Sequence, residues 1–232
     1  MNRQGERKID YLDYTWSPIT GCLHGCEYCY MHRMAKRFPQ ISMEPAYHPE
    51  RLLELLKVKK PAIIGVSFSG DMWGNWVPPK WADEVINICK QAYWHKFLFL
   101  TKNPVRYEEF KMPENCWCGT SVSCGYFIDH YFEDLRVSQL WDFAPEGRRF
   151  LSLEPFVCLT STDADILVFS WLYTVNWVIV GGLTGKGARR CDMGDLESII
   201  ENCRDAEVPL FIKNNAGYPE KIQEYPEDLI LK

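Results

Sequence analysis

Three cysteines lie within eight residues in the segment TGCLHGCEYCYMHR, where Cys22, Cys26 and Cys29 are spaced Cys-x3-Cys-x2-Cys and Tyr28 and Tyr30 flank the last of them. Thiolates are soft ligands that suit iron–sulfur clusters and zinc. Three of them fill three corners of a 4Fe-4S cubane and leave one iron open to a small molecule. A structural zinc normally closes with four ligands, and His24 or His32 is near enough in sequence to complete a three-Cys, one-His set. The spacing differs from the paired arrangements of zinc modules, so Cys22, Cys26 and Cys29 are expected to be the metal ligands and the catalytic centre of an iron–sulfur site. Cys116, Cys118 and Cys124 form a second close group in which an auxiliary cluster is conceivable. With Cys89, Cys158, Cys191 and Cys203 they equally fit small buried side chains.

Such a loop must be carried by a rigid scaffold. Short apolar runs recur near Asp13 to Ile19, Ala62 to Phe68, Lys96 to Leu100, Trp117 to Val122, Arg149 to Leu153, Trp177 to Val180 and Leu210 to Ile212. Helical spacing falls between them, near Met31 to Phe38, Pro49 to Leu56, Lys80 to Tyr93, Val105 to Phe110, Phe127 to Phe143, Asp163 to Tyr173 and Asp195 to Asp205. Alternating units of this kind predict parallel strands joined by right-handed crossovers. Polar and glycine residues cluster at the carboxyl ends of the runs: SGD, TK, SVS, EP, GG and KNN. In a barrel those ends converge on one mouth, whereas an open sheet would spread them along an edge. The expected fold is therefore α/β, a partial (β/α) TIM-like barrel of six to seven parallel strands. It is expected as a single domain over residues 1–232, with a cluster loop at 20–32. Met43 to Pro49 and the tail from about Gly217 are expected to be the loosest segments.

The cysteine spacing, with Tyr28 directly before the third cysteine, resembles the signature of the radical S-adenosylmethionine superfamily. That resemblance implies a 4Fe-4S cluster whose open iron is chelated by the methionyl amino and carboxylate groups. One electron then splits the sulfonium to methionine and a 5′-deoxyadenosyl radical. Ser69-Gly70-Asp71, after the second run, resembles the superfamily's Gly-Gly-Glu type motif for the amino group; it is equally an ordinary strand-to-helix turn. Lys102, with Ser69 and Asp71, resembles the spore photoproduct lyase branch, where a Lys and a Ser hold the cofactor. The resemblance makes Lys102 a cation for the methionyl carboxylate, and Ser121 or Ser123 the matching hydroxyl, the two sharing a strand face by alternation. Glu154 either accepts from the ribose hydroxyls or caps a turn. Gly181 and Gly182, in VIVGGLTGKGARR, resemble the segment that contacts adenine. GTSVS, RFLSLEP, VIVGG and LFIKNNAG together also resemble an uncharacterised phage-associated family of radical-S-adenosylmethionine-like proteins.

Bulk composition limits the partners. The chain has 232 residues, 47% of them apolar, and a net charge of −5, which is not the basic footprint of a protein gripping nucleic acid through phosphates. Unpaired bases stack on aromatics without such a surface, so a nucleobase, nucleotide or nucleic acid at the barrel mouth remains the substrate class that the photoproduct lyase resemblance implies. A peptide or small metabolite is the alternative, and a non-enzymatic iron–sulfur or zinc protein the second alternative. Lys186, Arg189, Arg190 and Lys213 either hold an anionic substrate or form a solvated rim. The expected reductant is a flavodoxin or ferredoxin. Without a long apolar run or an export signal, the expectation is a cytoplasmic protein with no membrane partner.

Overall fold

Apolar residues in short runs form mostly parallel strands, and the connections between those strands carry helices. The computed structural model describes residues 1–6, 8–125, 130–159, 170–185 and 187–231, with residues 130–134 in backbone only. The chain divides into two compact units, residues 1–117 and 118–230. Both are mixed α/β.

In the first unit the strands are β1 (Asn2–Arg3), β2 (Tyr14–Trp16), β3 (Ile19–Thr20), β4 (Ala46–Tyr47), β5 (Ile63–Val66) and β6 (Lys96–Thr101). β2, β5 and β6 run parallel, with Trp16 opposite Val66 and Val66 opposite Phe99; β1 adds an antiparallel edge. The expected strand from Asp13 to Ile19 is broken at Ser17-Pro18, because Pro18 has no N–H for a ladder. Beyond the break, β3 pairs antiparallel with β4, so the segment from Met43 to Pro49 is tied down and not loose. Helices α1 (Tyr30–Arg37) and α2 (Pro79–Gln91) match the expected spacing within two residues. The segments Pro49–Lys57 and Pro104–Glu109 wind more tightly, as 3-10 helices, each opening on a proline. Ile64, Phe97, Leu98, Phe99 and Trp73 are buried, and Trp73 packs against Phe99, Tyr107 and Phe110.

β7 (Cys116–Cys124) starts at the end of the first unit and leads into the second, which continues with β8 (Arg149–Phe156), β9 (Trp177–Val180) and β10 (Leu210–Ile212). These four are parallel neighbours, with Ser121 opposite Ser152, Ser152 opposite Ile179 and Ile179 opposite Phe211. Nearly every residue of β8 and β9 is buried, as strands covered on both faces require. Helices α3 (His130–Phe143) and α4 (Met193–Asp205) belong to this unit, α4 being capped by the Asp192 carboxylate, which accepts from Asp195 N–H at 3.2 Å. Residues 127–129 of one expected helix, and most of the expected helix from Asp163 to Tyr173, lie outside the described residues. The tail after Gly217 is not loose either. Ile212 N–H donates to Ile222 O at 2.8 Å and Glu224 N–H to Leu210 O at 3.0 Å, while Tyr225 packs on Trp177 and Phe211.

Candidate functional site

The cysteine loop is held by close backbone approaches in the first unit. Gly21 takes φ +85°, and a Cβ there would run into the Glu44 carbonyl. Gly21 also bridges to Gly70, whose own Cβ would strike the Gly21 carbonyl; both positions therefore require glycine. Asp71 N–H donates to Gly21 O at 3.2 Å, and Cys22 N–H to Met43 O at 2.8 Å. Cys29 N–H closes a turn on Cys26 O at 3.1 Å, and Cys29 occupies the N-cap position of α1 without a side-chain capping bond. All three cysteines are half-buried free thiols. Burial pushes the Cys22 thiol up to about 12, the charges of Asp71, Cys26 and Cys29 add to the rise, and a backbone hydrogen bond at His24 opposes it. A bound cation reverses that preference, because a coordinating thiol is deprotonated outright.

Asp71 is buried and crowded with donors. Thr101 Oγ1 reaches both of its oxygens at 2.9 and 2.8 Å, Trp73 N–H donates to Oδ1 at 2.9 Å, and Lys102 N–H donates to Oδ2 at 3.1 Å. His24 Nε2, from the cysteine loop, lies 2.8 Å from Oδ2, and its ring meets Trp76 edge-on at 4.9 Å between centroids. With acceptor sites for about four donors, this carboxylate has its capacity taken up internally. It ties the cysteine loop to the end of β6.

Lys102 follows β6 and is half-buried. Its ammonium sits 5.5 Å from the centroid of the Tyr28 ring, against the cysteine loop, and among the described residues it has no carboxylate within ion-pair distance. Ser69 and Gly70 are half-buried in the turn after β5. Two features of this region had no signal in the sequence. Ser67, a non-glycine residue at φ +57°, directly follows β5 and has a buried hydroxyl with no hydrogen-bond partner among the described residues. The 71–77 loop is fixed by Asn103, whose Nδ2 donates to Trp73 O at 2.8 Å, and by buried Arg106, which donates to the carbonyls of Gly74 and Val77 at 2.6 and 3.0 Å.

A second group of the expected residues gathers in the second unit, at the carboxyl ends of β8 to β10. Glu154 precedes a cis Pro155 and pairs with the Lys213 ammonium. A Cβ on Gly181 would lie 2.8 Å from Lys213 Cδ, 3.1 Å from Asn215 Oδ1 and 3.2 Å from Glu154 Cδ, so a bare backbone is needed where these side chains meet. Asn215 Nδ2 donates to Gly182 O at 2.9 Å, and its buried Oδ1 has no partner among the described residues. Ser121 Oγ is 3.5 Å from the Glu154 carbonyl, and Ser123 is buried. The β7–β8 register shifts after Val122 and Leu153, where β8 runs on to Phe156 while β7 reaches only Cys124, so the extra residue lies in β8 beside Glu154. Lys213 is engaged by Glu154 and is not a rim cation; Arg189 and Arg190 are exposed, and Lys186 lies outside the described residues.

Cys116, Cys118 and Cys124 are buried free thiols, and Cys116 Sγ donates to Asn115 Oδ1 at 3.7 Å. Among the described residues no three His, Cys, Asp or Glu side chains converge as one bound ion demands. His24, a candidate fourth ligand for a zinc, instead faces Asp71 Oδ2 at 2.8 Å.

Residues 6–227 match the family model DUF5131, described as a protein of unknown function. No curated protein sequence matches the chain. Among solved structures the fold is similar to a cysteine-to-serine mutant of spore photoproduct lyase, with TM-score 0.62 and 10% identity over 90% of this chain and 78% of that one. A tyrosine-to-phenylalanine mutant of that lyase gives 0.57 at 8% identity, over 90% and 78%. A further mutant, with bound AdoMet and dinucleoside spore photoproduct, gives 0.54 at 11% identity, over 94% of this chain and 64% of that one.

Proposed function

The chain belongs to the DUF5131 family, proteins of unknown function, and from that starting point we propose that it is a radical S-adenosylmethionine enzyme acting on a nucleobase or nucleotide. The observation that carries this reading is Lys102, a half-buried ammonium without a carboxylate partner among the described residues, set against a loop of three free cysteines. Cys22, Cys26 and Cys29 are the residues that would hold a 4Fe-4S cluster. When bound, the cluster supplies the electron that splits S-adenosylmethionine to a 5′-deoxyadenosyl radical. Lys102 pairs with the methionyl carboxylate, a charge-assisted contact that fixes orientation. Ser69 and Gly70 offer backbone and hydroxyl groups to the amino end. Asp71, its oxygens filled, holds the loop in place of meeting the ammonium itself.

Within the same proposal, Ser121 and Ser123 supply hydroxyls to the cofactor. Glu154, aimed by Lys213, accepts from the ribose, and Gly181 and Gly182 leave room for the flat adenine. The finer fold reading, one radical S-adenosylmethionine domain with a partial barrel, belongs to the proposal too. Support for a nucleotide-type substrate comes from the fold neighbours, which include forms carrying a dinucleoside spore photoproduct. No helix among the described residues is long and apolar enough to cross a membrane.

The test is anaerobic reconstitution with iron and sulfide, reduction by dithionite and assay of 5′-deoxyadenosine from S-adenosylmethionine. Wild type is expected to form it, and the Cys22→Ala, Cys26→Ala and Cys29→Ala variants are not. A wild-type cluster that neither binds nor cleaves S-adenosylmethionine would overturn the assignment.

A further inference from the structure

Helix α1 differs from α2 in a way that folding alone does not explain. α2 buries Ala82, Val85, Ile86, Ile88 and Cys89, whereas α1 buries no residue at all. Its Tyr30 and Met34 are 46% and 36% exposed, and Leu23 of the cysteine loop is 50% exposed. Tyr30, Arg33, Met34 and Arg37 recur at the spacing that puts side chains on one helix face, and Lys36 is exposed in the last turn. The face is thus apolar and basic together. From Tyr28 to Met43 there are three cations, Arg33, Lys36 and Arg37, and no acid, in a chain whose net charge is −5. Two cations in the last turn suit the helix dipole, Tyr30 Oη donates to Phe68 O at 3.0 Å and Arg33 is half-buried, but none of this covers the exposed faces of Tyr30 and Met34.

We infer that the exposed face of α1 is the docking site of a small acidic electron-transfer protein, the one-electron donor to the iron–sulfur site. The inference rests on the reading of Cys22, Cys26 and Cys29 as cluster ligands. Cys29 occupies the N-cap position of α1, so a partner seated on this helix is brought next to a ligand of the group it must reduce. The donor is oxidised by one electron and the cluster reduced by one, and no bond is made or broken. Charge complementarity steers such encounters, and electron-transfer interfaces are small and brief, as a single two-turn helix with a few apolar anchors allows. The protein's own negative charge elsewhere would repel an acidic donor, which directs it to this face.

The experiment compares wild type, Arg33→Glu/Lys36→Glu/Arg37→Glu, and a control of equal charge change, Lys57→Glu/Lys59→Glu/Lys60→Glu, whose lysines are exposed. Binding of an oxidised flavodoxin and of a ferredoxin is measured by calorimetry at low and high salt, and 5′-deoxyadenosine formation is driven in parallel by the reduced donors or by dithionite. The α1 variant is expected to bind the donor at least about tenfold more weakly, with a flattened salt dependence, and to lose donor-driven turnover while keeping dithionite-driven turnover. Wild type that binds neither donor, an α1 variant that binds like wild type, or a control that weakens as much would each overturn the inference. So would loss of affinity for a single-stranded oligonucleotide with donor binding unchanged, which would make the face a nucleic-acid contact. Failure of the underlying enzyme reading shows separately, as absence of dithionite-driven product in wild type, and leaves the binding comparison intact.

Discussion

Replacing Asp71 by Asn keeps the volume of the side chain and removes its charge and one acceptor oxygen. Oδ1 faces Trp73 N–H and Thr101 Oγ1, while Oδ2 faces Lys102 N–H, His24 Nε2 and Thr101 Oγ1. Whichever way the amide turns, its NH2 confronts a backbone N–H. With the amide nitrogen toward Oδ2's place, Lys102 N–H loses its acceptor and His24 must change tautomer to stay bonded. Hydrogen bonds to a charged group contribute about 1.5–3 kcal/mol each, and one is lost outright, so the expected destabilisation is roughly 1.5–3 kcal/mol. For a chain of this size that lowers the melting temperature by on the order of 10 °C. Thermal unfolding of the metal-free protein measures the first effect. Iron and sulfide content after reconstitution measures the second, since the cysteine loop loses its tie to β6. A loss under about 1 kcal/mol with full iron retention would refute the assignment of Asp71 as the clamp of the loop.

Lys102→Ala is expected to leave iron content unchanged and to weaken S-adenosylmethionine binding about tenfold, the worth of one charge-assisted hydrogen bond, read by equilibrium dialysis. The Glu109 carboxyl is held below the usual carboxylate range by Arg106, with Nη2 to Oε2 at 2.8 Å. A depressed folded pKa means that this stability is present above the ordinary carboxylate value and is lost as pH falls through the folded one. Because Glu109 is well exposed, Glu109→Gln is expected to remove only about 0.5 kcal/mol of acid sensitivity, measured by urea unfolding between neutral and acidic pH.

The three cysteines stood out in the sequence because they sit within eight residues, close enough for one short loop to carry them all. Strand and helix positions were legible for a related reason: burial of one face imposes a period on neighbouring residues, as in β6 and α2. The break at Pro18 was written in the sequence as well, in a residue without an N–H, although a continuous apolar run concealed it. Other features depend on which strand ends meet. His24 reaches Asp71 across 47 residues, and Lys213 reaches Glu154 across 59. The strand pairing of Phe211 with Gln223 holds down a tail whose composition reads as loose. Local spacing pointed to the residues proposed to carry chemistry and to the α/β class of the fold. The tertiary structure alone decided that Asp71 is filled by its own chain, that Lys213 pairs with Glu154 whereas Lys102 meets the Tyr28 ring and, among the described residues, no carboxylate, and that α1 buries no residue, because hydrogen-bond satisfaction and burial are set by residues distant in sequence that the sheet register brings side by side.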